Sequence, residues 1–294
     1  MGLTPTGGIV MGTRTGDLDP GLLLHLLRAR GMSLDAIAEV RRQRPSLPQL
    51  VCFDTTFHRT LPAVARRFPI ADELHAAGLH RVGFHGLSCE HVVATLGARM
   101  PSRVIVAHLG NGASLTAIRD GHSVDTTMGL TPTGGVVMGT RTGDLDPGLL
   151  LHLLRARGMS PDDLDRLVNR EGGLRAVGGS SDMQDLLSRR ATDPRAALAV
   201  DLFTRTVRKA IAALAASLEG LDLLVFTGGI GEHAAVIRAE VLAGLSFLGL
   251  RLDRERNDRH ADVISADDSP VTVRRLVAEE DRVMARHARR LLGA

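Results

Sequence analysis

Residues 103–127 read RVIVAHLGNGASLTAIRDGHSVDTT. The opening RVIVAHLG is an apolar run of strand length that ends in Gly-Asn-Gly, a turn signal. ASLTAIRDGHSVDTT then alternates and turns at Asp120-Gly121, which predicts a hairpin. Another apolar run, LDLLVFTGG at 221–229, predicts a core strand that enters Ile230-Gly231 and then the helical EHAAVIRAEVLAGL. LVCFDTTFH at 50–58 reads as a buried strand leaving the sheet at Asp54. Helical patterns fill the gaps. Residues 196–219 place Leu198, Leu202, Val207, Ile211, Leu214 and Leu218 near helical spacing, with Gly220 as a stop. Asp146-Pro147 starts the helix PGLLLHLLRARG, with Pro in the first turn and Gly158 after the end. EEDRVMARHARRLL, at 279–292, is an amphipathic helix whose apolar stripe needs a partner. Strands and helices alternate through the middle of the chain, which predicts an α/β fold.

The chain has 294 residues, enough for one large or two modest domains, and its hydrophobic share of 44% supports a core. No apolar run approaches the roughly 18 residues of a membrane span. The first residues lack a basic start followed by an apolar segment, so no signal peptide is expected and a cytoplasmic location is. Net charge is +3, and Lys209 is the single lysine. Arg–Arg pairs are scattered along the chain, and it holds no Trp, no Tyr and seven Phe. A nucleic-acid binder would cluster its arginines and add stacking aromatics, so that class is excluded. Cys52 and Cys89 lack metal-type spacing and read as reduced thiols.

One block occurs twice. GLTPTGGIVMGTRTGDLDPGLLLHLLRARGMS at 2–33 returns at 129–160 with a single change, Ile9 to Val136. The flanks differ, and there is no third copy, so this is not a solenoid period. Near-identity argues against an old functional duplication, because the copies would sit in different surroundings.

Three glycine-rich turns carry the chemistry: HLGNG (108–112), GGSSDMQ (178–184) and GGIGEH (228–233). Glycine lets backbone N–H groups approach a phosphate closely, and three such turns together point to a nucleotide. A Walker A loop is excluded, because Lys209 sits in VRKA, and a Rossmann fingerprint is absent. Phosphate charge must then be met by arginine, histidine and metal. Arg141 in MGTRTGD is flanked by small residues, and a guanidinium can grip two phosphate oxygens at once. His85 in GFHG and His108 in AHLG are placed to donate to a transferring phosphoryl group. Asp54 follows a strand-like run, a common site for a functional carboxylate. Glu280 or its neighbours are candidates for Mg²⁺; Glu279, Glu280 and Asp281 read equally well as a solvated helix start.

In order, FDTTFHRTLP, RVGFHGLS, VAHLGNGASL, DTTMGLTPTGG, MGTRTGDLDP, SSDMQDL and FTGGIGEH closely resemble acetate kinase, of the acetate and sugar kinase/Hsp70/actin superfamily. The resemblance covers residues from about 34 to 294. It implies an α/β, ribonuclease-H-like (actin-like ATPase) fold. It implies reversible phosphoryl transfer from ATP to acetate, giving acetyl phosphate and ADP, with Mg²⁺ and as a homodimer. Carried over by motif, Asp54, His85 and Arg141 are the catalytic residues. His108, Leu109, Gly110, Asn111, Gly112, Asp182, Met183, Gln184, Gly229, Ile230, Gly231, Glu232 and His233 bind the nucleotide. Phe84 and Pro132 line the pocket for the acetate methyl, and Glu280 holds the metal.

The sequence departs from the family pattern. Cys89 stands where a second histidine is expected, Gln184 where an arginine is expected, and LVAEED (276–281) replaces a VPTNEE-like stretch. The family's Asn-x-Gly-Ser-Ser-Ser phosphate loop and the arginine of its early catalytic stretch have no counterpart. The implied organisation is a duplicate of 128–160 at 1–33, a first-domain remnant at 34–53, a nucleotide-binding catalytic domain at 54–280, and a C-terminal helix of the first domain at 281–294. On this reading most of the first domain is missing, the second domain is nearly complete, and turnover is impaired. Copy two keeps its family context, so Arg141 rather than Arg14 is the expected catalytic arginine. The alternatives are a non-catalytic nucleotide-binding remnant and a propionate or butyrate kinase.

Overall fold

The computed structural model describes residues 52–292, together with Glu39, residues 42–46 and Leu50. Copy one of the repeat, its expected helix at about 20–30 and Arg14 lie outside the described residues.

The run that opens at Arg103 is the central strand β1 (Arg103–Leu109). It pairs antiparallel with β2 (Ala113–Arg119), which pairs antiparallel with β3 (His122–Thr126). The β2–β3 turn has positive φ at both Asp120 (50°) and Gly121 (82°), the paired geometry that matches the twist of a tight hairpin. On its other side β1 pairs parallel with β4 (Leu223–Thr227), and β4 pairs parallel with β5 (Thr272–Arg275). The order is β3-β2-β1-β4-β5, the arrangement of a ribonuclease-H-like sheet.

β1 is apolar almost throughout because both its faces are covered. Ile105, Ala107 and Leu109 join the larger core with Phe203, Val207 and Ile211. Val104 and Val106 face the opposite way, onto Cys89, Val92 and Leu96 of helix α1 (Gly86–Leu96). Each such fully buried side chain contributes roughly 1.5–3 kcal/mol.

Between the hairpin and β4 run α2 (Pro147–Ala156), α3 (Pro161–Asn169), α4 (Gly173–Gly178), α5 (Met183–Arg189) and α6 (Pro194–Ser217). α6 starts where Asp193 accepts the N–H of Arg195 and ends before Gly220, whose φ is +132°. Its buried stripe is Ala196, Ala199, Val200, Phe203, Val207, Ile211 and Leu214. Leu198, expected on that stripe, is instead 59% exposed, and the small Ala196 and Ala199, the latter against Gly178 of α4, are the buried residues of that turn. α2 has the predicted Asp146 cap and left-handed Gly158, yet none of its residues is buried.

Two expectations fail. Residues 52–58 are not a strand. Asp54–Thr60 is a 3-10 helix. It is drawn to the start of α1, where Asp54 accepts backbone N–H groups, and to β3, where His58 Nδ1 meets Ser123 Oγ at 2.9 Å. The single helix expected after β4 is two: α7 (Gly228–His233) and α8 (Ala235–Ala243), broken at Ala234 (φ −99°, ψ 80°). The carbonyls of Gly231 and Glu232, which would continue the helical ladder, accept instead from the buried guanidinium of Arg238 at 2.8 and 2.9 Å.

The last helix, α9 (Glu280–Leu292), packs Val283 and Met284 against Cys52 and Leu87, while Leu291 and Leu292 are exposed. No helix among the described residues is long and apolar enough to cross a membrane.

Candidate active site

β1 and β4 are parallel and end side by side, so the turns that leave them open at one edge of the sheet. Gly228 must be glycine there: its φ is +76°, and a Cβ would lie 2.8 Å from the carbonyl oxygen of Leu109. The α4–α5 turn supplies a third wall. Asp182 caps α5 by accepting the N–H of Gln184 at 2.9 Å. These segments enclose a cavity of about 730 Å³. Its lining comes from Gly110 and Asn111, from Ser181, Asp182, Met183, Gln184 and Leu187, and from Gly229, Ile230, His233 and Ala234.

Eight of the expected nucleotide residues line this cavity. His108, Leu109, Gly112, Gly231 and Glu232 do not. Leu109 is fully buried in β1, because its side chain belongs to the sheet and not to the turn. Gly231 and Glu232 lie on the buried face of α7, away from the cavity, and Glu232 is 6% exposed. Ser181 belongs to the GGSSDMQ turn, whereas Leu187 and Ala234 lie outside the three glycine-rich turns. Leu187 lies one turn beyond Met183 on α5, a spacing that could have found it.

Beyond Gly110 the cationic and imidazole groups collect. His85 is held in the left-handed region, at φ 55°. Its N–H donates to Asp54 Oδ2 at 2.6 Å, and the N–H of Leu87 donates to Oδ1 at 3.1 Å. A Cβ on the intervening Gly86 would lie 1.9 Å from the Asp54 carbonyl oxygen, so only glycine allows this approach. Asp54 is 3% exposed and anchors the backbone that presents His85. The His85 and His108 rings stack with centroids 4.4 Å apart and 19° between planes. Ser114 Oγ lies 2.9 Å from His85 Nδ1, and Ser88 Oγ 2.9 Å from His108 Nδ1. Burial pushes His108 down from 6.5 to about 4, although the charge of Asp54 opposes the shift. His108 is therefore neutral at neutral pH.

Arg141 reaches the same place from a loop pinned on two sides. Gly139 donates its N–H to Asn111 O at 3.2 Å, and Leu174 donates to Met138 O at 2.9 Å. Gly173, with φ +64°, makes room: a Cβ would lie 2.1 Å from Met138 O and 2.6 Å from Arg141 O. Arg141 Nη1 donates to Pro132 O at 2.5 Å. Its other terminal nitrogen and His85 Nε2 both border Gly112, where a Cβ would lie 2.7 and 3.2 Å from them. One glycine turn thus has the cavity on one side and Arg141 with His85 on the other.

Phe84 and Pro132 do not line the cavity. Phe84 is 2% exposed within the main core, and its carbonyl accepts from His58 Nε2 at 3.0 Å. Pro132 is buried, with its carbonyl on Arg141.

Cys89 is fully enclosed. Burial, with the negative charges of Asp54 and Glu280 nearby, pushes its thiol up to about 12, so it is neither nucleophile nor ligand. Both carboxylates thus act on this one thiol, although Glu280 begins α9 far along the chain. Among the described residues no group of three or more His, Cys, Asp and Glu gathers around a metal position. Mg²⁺ asks for less, one or two carboxylates plus phosphate oxygens and water. Carboxylate oxygens of Glu280 and Asp54 have the hardness that ion prefers, so the donor set fits it.

The sequence pattern of the Acetokinase family matches residues 1–44 and 34–286. The chain belongs to the acetokinase family. The first match falls on copy one of the repeat and the second spans the described site. The acetate kinase of Nitrobacter hamburgensis is 44% identical over 265 residues, 88% of this chain and 65% of that protein. This acetokinase-family chain thus spans about two thirds of the length of the curated relatives it matches. Among solved structures, Porphyromonas gingivalis acetate kinase superposes with a TM-score of 0.83 at 32% identity, covering 94% of this chain and 74% of that one. A propionate kinase from Francisella tularensis gives a TM-score of 0.85 at 32% identity, covering 95% and 77%. The fold is the actin-like ATPase fold of these kinases.

Proposed function

We propose that this chain is an ATP-dependent carboxylate kinase that transfers the γ-phosphoryl group of ATP reversibly to acetate, giving acetyl phosphate and ADP. The observation that carries this reading is the Gly110–Gly112 turn, with the cavity on one side and Arg141 and His85 on the other. The apolar side chains Met183, Leu187, Ile230 and Ala234 suit the base, and the phosphates then run along Gly110–Gly112 toward Arg141.

In the forward direction an acetate oxygen attacks the γ-phosphorus and the bond to the β-phosphate oxygen breaks, leaving ADP. The protein's work is positioning and charge stabilisation. Arg141 meets charge on the transferring group. His85 offers a ring nitrogen, fixed by Asp54 on its backbone and Ser114 on its ring. Neutral His108 stacks behind it and adds no competing positive charge. Mg²⁺, held by Glu280, would neutralise phosphate charge when bound. We read the enzyme as a cytoplasmic homodimer, on its membership of the acetokinase family.

Propionate is the second substrate reading, favoured by the similarity to the Francisella kinase. Hydroxylamine trapping of acyl phosphate, with ATP, Mg²⁺ and either acid, tests both. Acetate is expected to give the faster signal. Arg141→Ala is expected to lower it by about three powers of ten, the scale of losing a charged group aimed at the phosphoryl. ADP binding without any trapped product would keep the nucleotide site and remove the transferase assignment.

A further inference from the structure

α7 carries residues of two kinds. Gly229, Ile230 and His233 face the cavity, whereas Glu232 between them is buried behind it. Its Oε1 accepts the backbone N–H of Ala278 at 2.9 Å. Ala278 lies two residues before Glu280, in the segment that joins β5 to α9. Its Oε2 lies 3.9 Å from Nε2 of the cavity-lining His233. The backbone of Glu232 is also fixed. Its carbonyl and that of Gly231 accept from Arg238, which is 0% exposed. Arg238 Nε in turn donates to Asn257 Oδ1 at 2.8 Å.

We infer that Glu232 is a positioning residue that locks the segment carrying Glu280 to the nucleotide turn, so that the carboxylate for the metal and the loop for the phosphates keep one register. This deepens the proposed function and rests on it. The geometry gives Glu232 no contact with the nucleotide cavity. It gives it one partner on each of the two segments that must meet around bound phosphates. Earlier in the connection from β5 to α9, Leu276 donates its N–H to Phe226 O at 2.9 Å, at the end of β4. Past that point the Glu232–Ala278 bond ties the connection to α7, while Glu279 Oε2, 3.7 Å from His91 Nε2, and the buried Val283 and Met284 hold α9 to α1.

Glu232→Ala and Glu232→Gln separate this role from others, because the glutamine amide oxygen can still accept the Ala278 N–H. Two readouts are needed: amide hydrogen exchange over 276–281, and ADP binding with and without Mg²⁺. Glu232→Ala is expected to speed exchange at 276–281 by about tenfold or more, since a buried tie that closes the segment is gone. It is also expected to shrink the Mg²⁺-dependent gain in ADP affinity by about tenfold, with metal-free ADP affinity within about threefold of the wild type. Glu232→Gln should stay near the wild type in both. Unchanged exchange in Glu232→Ala would overturn the inference. So would equal losses of ADP affinity with and without Mg²⁺, which would make Glu232 a nucleotide contact, and so would a Gln variant that behaves like Ala. If the wild type binds no ADP, the nucleotide reading fails by itself, and the exchange result still decides whether Glu232 holds the segment.

Discussion

At the scale of single residues, the site depends on close approaches that only glycine permits, and on charges whose surroundings set their protonation. Gly173→Ala puts a methyl group 2.1 Å from Met138 O at a left-handed φ of +64°. Backbone carbonyls cannot swing away as a flexible side-chain end can. Chemical denaturation should therefore show a loss of more than about 2 kcal/mol, with displacement of the Arg141 loop. His108 makes a pH prediction. Its folded value of about 4 lies below its ordinary 6.5. The unfolded chain then binds the extra proton first as pH falls, so this group lowers stability from pH 6.5 down to about 4 and adds no further slope below that. Above 6.5 it costs nothing. His108→Gln should flatten that part of the stability profile relative to the wild type, and an unchanged slope would remove the assignment. Asp54 shows what a sequence alone conceals. Its motif marks it as functional, but only the structure shows its oxygens accepting the N–H groups of His85 and Leu87.

At the scale of elements, legibility follows how local the deciding interaction is. β1, the β2–β3 hairpin, β4 and α6 could be read from apolar runs, Asp120-Gly121, helical spacing and the Gly220 stop, because neighbours in sequence decide them. The segment at 52–58 reads as a strand by composition. It becomes a 3-10 helix because α1 and β3, far along the chain, claim Asp54 and His58. The break at Ala234 is equally illegible, since it depends on Arg238 taking two helical carbonyls while Asn257 holds the guanidinium. The hairpin offers a clean measure of local strain. A Cβ on Gly121 meets nothing within 4 Å, yet φ there is +82°. Gly121→Ala should therefore cost only the left-handed backbone penalty, about 1 kcal/mol, with nucleotide binding unchanged. A much larger loss would mean that the turn does more than reverse the chain.

At the scale of the whole molecule, the sheet order places two parallel strand ends together, and three glycine-rich turns spread between residues 108 and 233 become one cavity. The sequence supplied the turns and the ordered motifs that resemble acetate kinase. It did not show which of those residues face inward, and Leu109, Gly231 and Glu232 face elsewhere because of strand pleat and helix face. The central claim is that this cavity takes the nucleotide, and Gly229 allows a direct test. It lines the cavity, and a Cβ there meets nothing within 4 Å, so a larger side chain fills ligand space without crowding the fold. The measurement is thermal unfolding of the wild type and Gly229→Leu, each with and without Mg²⁺ and ADP. At about a hundred times its dissociation constant, ADP should add roughly 2.7 kcal/mol to the wild type, a shift of several degrees. Gly229→Leu should match the wild type without ligand and show no shift with it. A wild type that ADP does not stabilise, or a Gly229→Leu chain stabilised as strongly as the wild type, would contradict the account.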